Sequence, residues 1–213
     1  KTTQKNLELV RPMHANGVAL IDVIDDTKTN MGGRLLRRWL LEPLMDLSII
    51  EKRQNAVSEL MSKTTALISL QTELKKILDI ERILSRICAR RVMPREIIAL
   101  KNSLLVLPTA KSILGNYDSE LIQNAIKYFD QFYDLVTVIS DTLKDDPPAN
   151  LSDGGFINDQ FNSELDDLRN ISTNGKDYIA SLQQKHADEL GIPKLKVGYN
   201  RVFGYYFEVS HLH

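Results

Sequence analysis

Four side chains near the C-terminal end of the chain have the chemistry to contact a phosphate backbone. Lys194, Lys196 and Arg201 carry positive charge, and the amide of Asn200 can donate a hydrogen bond to a phosphate oxygen. Only Glu208 opposes these charges within the same stretch. Because the whole chain has a net charge of −1, binding to nucleic acid would depend on such a local patch. These four residues are therefore the candidate nucleic-acid contacts.

A second basic cluster recurs every four residues, at Arg82, Arg86 and Arg90. This spacing places the three side chains on one face of a helix. The cluster could be a phosphate-facing stripe or, as is more usual, a solvated face that pairs with acidic side chains on the next helix.

The sequence contains no recognisable catalytic constellation. It has no G-x-x-x-x-G-K-[ST] phosphate loop, and its four histidines lack the cysteine or carboxylate spacing of a metal site. The single cysteine, Cys88, falls in an apolar helical rhythm and is predicted to be a small buried residue. We therefore expect no catalytic residue, no metal site and no bound cofactor in this chain.

The candidate contacts lie in a stretch, residues 191–210, that alternates with the two-residue period of a β-strand. Leu195, Val197 and Tyr199 would share one face of the first strand, opposite the lysines, and a turn at 200–201 would lead into a second strand. The pattern predicts a hairpin with one apolar and one polar face. Aromatic side chains on the apolar face are explained more simply by packing than by base stacking.

The segment before the hairpin predicts a long helix. Residues 158–189 contain no proline and one glycine, and a helix of this length would extend roughly 50 Å. Its apolar seam fades toward the C-terminal end, which favours a helix that leaves a core and runs into solvent.

The preceding residues carry helical patterns throughout. A capping box at Ser48 and Glu51 predicts a helix start, Trp39 is predicted to lie in the core, and one amphipathic helix is predicted over 119–143. Turn-forming residues at 145–155 mark the main internal boundary. We predict a mainly α fold: a helical bundle over 1–156, one long projecting helix over 157–190 and a short C-terminal β-hairpin in 191–213.

Four stretches of the sequence together resemble the MutS family of DNA mismatch-repair proteins, over nearly the whole chain. They are residues 6–9 (NLEL), 26–44 (DTKTNMGGRLLRRWLLEPL), 79–87 with 94–96 (DIERILSRI and PRE) and 195–206 (LKVGYNRVFGYY). The resemblance implies a helical core and lever over 1–156, a lever helix over 157–190, and the start of a β clamp domain over 191–213. In that family the clamp grips double-stranded DNA through its backbone, which assigns Lys194, Lys196, Asn200 and Arg201 to phosphate contact.

The resemblance also implies partners and cofactors that lie outside this chain. It implies a parent protein that binds mismatched DNA as a homodimer, uses ATP and Mg²⁺ in an ATPase domain, works with a MutL-type partner, and resides in the cytoplasm at the nucleoid, with no membrane contact. The family's Phe-x-Glu motif does not occur here, since Phe207 and Glu208 are adjacent. Because the sequence starts at Lys1 and stops just after a strand, we expect it to be a non-catalytic part of a longer protein.

Two alternatives remain open at this point. The chain could be a helical scaffold for protein interaction, whose rod and hairpin pair with another protein by coiled-coil packing or strand addition. It could also belong to a MutS-like protein that acts in recombination instead of mismatch repair.

Overall fold

Helices form most of the structure, a computed structural model that describes residues 2–209 apart from the side chain of Lys176. The predicted mainly α class with a short β-hairpin is confirmed. The chain divides into two compact units, one ending at Asn158 and the other beginning at Asp159. The assignment of 157–190 to a lever and of 191–213 to a clamp stays a prediction, and residues 210–213 lie outside the described part of the chain.

The first unit consists of ten helices among the described residues. They are α1 (Thr2–Asn6), α2 (Leu20–Ile24), α3 (Asn30–Leu41), α4 (Leu47–Ser62), α5 (Thr64–Leu74), α6 (Ile80–Cys88), α7 (Pro94–Leu104), α8 (Leu107–Leu114), α9 (Glu120–Ile126) and α10 (Tyr133–Thr142). A 3-10 turn follows at Leu151–Asp153. The second unit contains α11 (Ser163–Thr173), α12 (Gly175–Leu190), β1 (Lys196–Asn200) and β2 (Gly204–Glu208).

Two apolar clusters hold the first unit together. One contains the buried side chains of Ile83, Leu100, Leu104 and Leu107, from α6, α7 and α8. The other contains Ala56, Tyr117 and Ile122, with partly buried residues of α4, α5 and α8 packed around them.

The helix predicted over 119–143 is instead α9 and α10, separated by turns at 127–132. Ile122 packs into one apolar cluster, whereas Phe129 and Phe132 pack against the other. The break lets a single amphipathic stretch serve both clusters, which is why its sequence periodicity alone did not reveal it.

Three local predictions in the first unit are corrected by the structure. Helix α4 begins after Asp46, whose carboxylate accepts a hydrogen bond from the Ser48 amide at 2.9 Å, so the Ser48 capping box does not form. Trp39 is 39% exposed, and its ring lies 3.7 Å beneath the guanidinium of Arg53. Cys88, near the end of α6, is exposed instead of buried. In each case a neighbouring polar group or the end of a helix overrides the apolar rhythm.

The segment Pro94–Leu114 is long and apolar enough, by composition alone, to cross a membrane. In the structure it is divided into α7 and α8, and its buried leucines line the first apolar cluster. The core helices of folded domains meet the same criterion, and we interpret this segment as one of them.

The single helix predicted over 157–190 is instead two helices. Helix α11 starts only at Ser163, where the Asn162 side chain accepts a hydrogen bond from the Leu165 amide at 2.9 Å. Asn174, with φ −105° and ψ 30°, separates α11 from α12. Asparagine and glycine are weak helix formers, and their succession at 174–175 accounts for the break.

Candidate nucleic-acid interface

The turn of the hairpin is built by Asn200. Its side-chain oxygen accepts hydrogen bonds from the amides of Val202 at 2.9 Å and Phe203 at 2.7 Å. Gly204 closes the three-residue loop with φ +75°, a conformation that side chains disfavour. The predicted hairpin is confirmed, and Asn200 has a structural role in it that sequence reasoning did not assign.

The register of the two strands fixes which side chains share a face. Lys196 lies opposite Glu208, Val197 opposite Phe207, and Tyr199 opposite Tyr205. Because side chains alternate between faces along a strand, Lys196 and Asn200 share one face, and Val197 and Tyr199 the other. The alternation predicted from the sequence is therefore present in the strand pairing.

The three cations of the patch are exposed along one end of the second unit. Lys194 precedes β1, Lys196 begins it, and Arg201 lies in the turn. Within residues 2–209 none of them forms an ion pair within 4.0 Å, although Glu208 lies opposite Lys196 in the register. The structure thus exposes three cations at separate positions, before the first strand, at its start and in the turn.

The polar face also carries an aromatic side chain, as expected for the residue between Tyr205 and Phe207 in an alternating strand. Tyr206 lies opposite Gly198, and its ring would be 2.6 Å from a β-carbon placed on that glycine. An aromatic ring that covers a cross-strand glycine stabilises the pairing and defines its register. The strand register that the turn imposes is the feature from which the Tyr206–Gly198 pair could have been predicted.

The other face of the hairpin packs on α12 within the second unit. Val197 and Phe207 line a cavity of about 480 Å³ together with Tyr178, Ile179 and Leu182 of the helix. The ring of His186 meets the ring of Phe207 edge-on at 5.2 Å. The apolar lining and the ring contact place α12 behind this face of the hairpin.

Two apolar side chains are presented at the turn itself. Val202 is 83% exposed and Phe203 is 80% exposed, directly after Arg201. Sequence reasoning treated the aromatic residues of the hairpin mainly as packing residues, and Phe203 does not pack in this way.

The second basic cluster is partly engaged within the first unit. The guanidinium of Arg86 lies 2.9 Å from the Glu96 carboxylate and donates a hydrogen bond to the carbonyl of Arg91 at 3.0 Å. Arg86 therefore pairs with an acid on the next helix, as the more usual interpretation of such stripes expects. The cluster is a weaker candidate for phosphate contact than the hairpin.

The carboxylates in the described residues whose pKa is lowered lie at helix ends. Arg34 of α3 donates to both Asp79 oxygens at 2.7 Å and to Glu81 at 2.6 Å, and the pKa of Asp79 is lowered mainly by this contact. Hydrogen bonds from Thr27 lower the pKa of Asp25 in the same way. No group of three His, Cys, Asp or Glu side chains within residues 2–209 could hold a metal ion. These ionised groups join and cap helices.

Comparison with known proteins matches almost the whole chain to one family. The family model described as MutS domain III matches residues 2–195. The chain is 39% identical over 210 residues to the DNA mismatch repair protein MutS of Caldicellulosiruptor bescii. This alignment covers 98% of the chain and 24% of that protein. It is 41% identical over 210 residues to the protein of the same name from Halothermothrix orenii, covering 98% of the chain and 23% of that protein.

A third relative gives the same result over a shorter alignment. The DNA mismatch repair protein MutS of Caldanaerobacter subterraneus subsp. tengcongensis is 43% identical over 192 residues, covering 90% of the chain and 22% of that protein. The chain thus spans about a quarter of the length of these relatives. The predicted resemblance is confirmed: this chain belongs to the MutS family of DNA mismatch-repair proteins, in the region of MutS domain III.

Proposed function

We propose that the chain is a non-catalytic lever and clamp segment of a DNA mismatch-repair protein, which holds duplex DNA through backbone contacts. The observation that carries this proposal is the set of three exposed cations without ion-pair partners in the described residues, on and beside a hairpin that lies next to α12. The names of its relatives, DNA mismatch repair proteins, give the process.

The chemistry proposed for the hairpin is phosphate contact without base readout. Lys194, Lys196 and Arg201 would each neutralise a phosphate and release condensed counterions. Asn200 retains its side-chain amide group as a donor, while its oxygen is engaged in the turn. Contacts of this kind position a protein on the duplex and carry no sequence information.

The remaining functions of the proposed parent protein are assigned outside this chain. ATP and Mg²⁺ do not fit the residues present, because the sequence has no phosphate loop and the described residues hold no metal cluster. We therefore place the ATPase in other parts of a longer protein that works as a homodimer with a MutL-type partner, in the cytoplasm at the nucleoid.

The test is a binding titration with the full-length protein. A labelled duplex with one mismatch and its fully matched counterpart are titrated with the wild type and with the Lys194→Ala/Lys196→Ala/Arg201→Ala variant. Because backbone contacts are blind to sequence, the variant should bind both duplexes more weakly by the same factor. Unchanged affinity for both duplexes would remove the hairpin from the DNA interface.

A protein-interaction scaffold remains the second candidate, and the exposed Val202 and Phe203 at the turn favour it. Apolar association of this kind depends little on salt, whereas phosphate contact depends on it strongly. Loss of a protein partner on Val202→Ser/Phe203→Ser, with unchanged DNA affinity, would support the scaffold.

A further inference from the structure

The turn of the hairpin presents two neighbouring apolar side chains to solvent. Val202 and Phe203 lie between β1 and β2, and both are about four-fifths exposed. We call these two residues the apolar tip. Apolar side chains this exposed, side by side at the end of a hairpin, are available for contact with another molecule.

The other aromatic side chains of the hairpin all have a neighbour within the second unit. The rings of Tyr199 and Tyr205 lie with their centroids 4.9 Å apart, and Tyr206 covers the glycine opposite it. Phe207 meets a histidine ring of α12 edge-on at 5.2 Å. Phe203 makes no ring contact within residues 2–209, so packing in the described part of the chain does not account for it.

The backbone that carries the apolar tip is fixed by the turn itself. The side-chain oxygen of Asn200 accepts hydrogen bonds from the amides of both tip residues, and Gly204 closes the loop in a left-handed conformation. A tip that is already ordered loses little conformational freedom on binding, which favours its use as a contact.

The surroundings of the apolar tip are cationic. Residues 190–207 contain two lysines and one arginine but no acidic side chain, and Arg201 directly precedes the tip. Positive potential of this kind attracts an acidic macromolecule and repels a basic one.

The small size of the apolar tip favours duplex DNA over an acidic protein. A specific protein interface buries about 800 Å² per partner, whereas one aromatic side chain supplies roughly 150–250 Å². The minor groove of DNA is only about 6 Å wide, which admits single side chains. Proteins that bind there insert apolar wedges such as phenylalanine between base steps and use arginine beside them.

We propose that the apolar tip enters the minor groove of duplex DNA, where Phe203 packs against a base step and partly unstacks it. This inference rests on the proposed function of the hairpin and adds to it a contact that does not depend on charge. Every base presents an apolar face, so the wedge requires no particular sequence. It favours base steps that unstack easily, such as pyrimidine–purine steps.

The test uses the full-length protein and a set of matched duplexes. Each duplex carries the adenine analogue 2-aminopurine, whose fluorescence rises when it unstacks, at a different position. The variants are Phe203→Ala, which removes the wedge, and Phe203→Leu, which keeps an apolar one. The control, Tyr133→Ala, removes an aromatic side chain that is 77% exposed in the first unit.

Phe203→Ala should lower the DNA affinity about fivefold or more, the effect of losing one aromatic contact with a base. The factor should be the same at every salt concentration, because no counterions are released by this contact. The variant should also lose the rise in fluorescence at the position where the wild type unstacks the duplex. Phe203→Leu should retain most of the affinity, and Tyr133→Ala should match the wild type in both measurements.

The outcomes separate the inference from the proposed function. If the Lys194→Ala/Lys196→Ala/Arg201→Ala variant binds DNA as the wild type does, the hairpin is not at the DNA and both fail. If that variant binds more weakly but Phe203→Ala does not, only the inference fails.

Three further results would overturn the wedge alone. Misfolding of Phe203→Ala, or a loss of its stability to urea without a loss of affinity, would mean that the tip packs inside the parent protein. Loss of a protein partner at unchanged DNA affinity would assign the tip to that partner. An equal loss of affinity in Tyr133→Ala, or a loss in Phe203→Ala with unchanged fluorescence at every position, would exclude insertion at a base step.

Discussion

Removing the three cations of the hairpin should weaken DNA binding most strongly at low salt. The perturbation is the substitution of Lys194, Lys196 and Arg201 by alanine in the full-length protein. All three side chains are exposed, and none forms an ion pair with the part of the chain that the structure describes. Their removal therefore leaves no acid without its partner, and we expect the fold to be retained.

The size of the effect follows from the number of contacts. Each phosphate contact contributes about 0.9 to the slope of log affinity against log salt concentration, so three contacts contribute about 2.7. Over a fourfold rise in salt, from roughly 50 to 200 mM, these contacts account for about a 40-fold loss of affinity. The triple variant should lack this part of the salt dependence.

The assay is fluorescence anisotropy of a labelled duplex at four salt concentrations. The control variant carries Arg11→Ala, Arg37→Ala and Lys75→Ala, three exposed cations of the first unit that likewise form no ion pair with residues 2–209. Both variants lower the net charge by the same three units. The comparison therefore separates contact by the hairpin from a general loss of positive charge.

Two results would refute the reasoning. Equal slopes for the wild type and the hairpin variant would mean that these cations do not neutralise phosphates. Equal slope changes in the hairpin and control variants would mean that DNA responds to net charge alone, without a localised interface on β1 and its turn.

Three further predictions concern the first unit and are measured by urea unfolding. Ser103→Ala should destabilise the protein by about 1–3 kcal/mol, because the buried Ser103 hydroxyl accepts a hydrogen bond from the Leu78 amide at 3.0 Å. No loss would show that this bond is dispensable. Tyr117→Phe should instead raise the free energy of unfolding, by up to about 1–3 kcal/mol, since the buried Tyr117 hydroxyl has no hydrogen-bond partner in the described structure. A clear loss of stability would reveal a partner. Asp79→Asn should reduce the loss of stability on acidification below about pH 4. Because Arg34 lowers the pKa of Asp79, this carboxylate contributes stability that is present above its unfolded-state pKa and lost as pH falls through its folded-state pKa. An unchanged dependence of stability on pH in this range would count against the prediction.

Patterns that depend on near neighbours in the chain predicted the mainly helical class, but not the position of every helix end. The start of α3 follows from Thr29, whose hydroxyl accepts the Gly32 amide at 3.0 Å, and Pro94 occupies the first turn of α7. Breaks within apolar stretches were missed, as at 127–132, because periodicity does not reveal which cluster each turn of helix will meet.

The arrangement of the candidate site was predicted in part, because alternation along a strand also depends only on near neighbours in the chain. Alternation along β1 placed Lys196 and Val197 on opposite faces without any knowledge of the strand partner. The role of Asn200 in the turn and the cover of Gly198 by Tyr206 depend on the register of the second strand, which the turn geometry determines. Sequence chemistry alone therefore identified the cations but not the scaffold that holds them.

Two asparagines in this chain show why residue type does not settle mechanical role. Asn174 has weak helix propensity, and it is the capping residue at which α11 ends. Asn158 is chemically identical, yet its amide meets the carbonyl end of a helix that precedes it by fifteen or more residues, and it fixes the chain. We predict that amide hydrogens exchange more slowly at 143–158, a loop that its composition marks as flexible, than at 172–176, a helix break inside a segment that its composition marks as a continuous helix. The relative rates of amide exchange at 143–158 and at 172–176 measure that reversal directly.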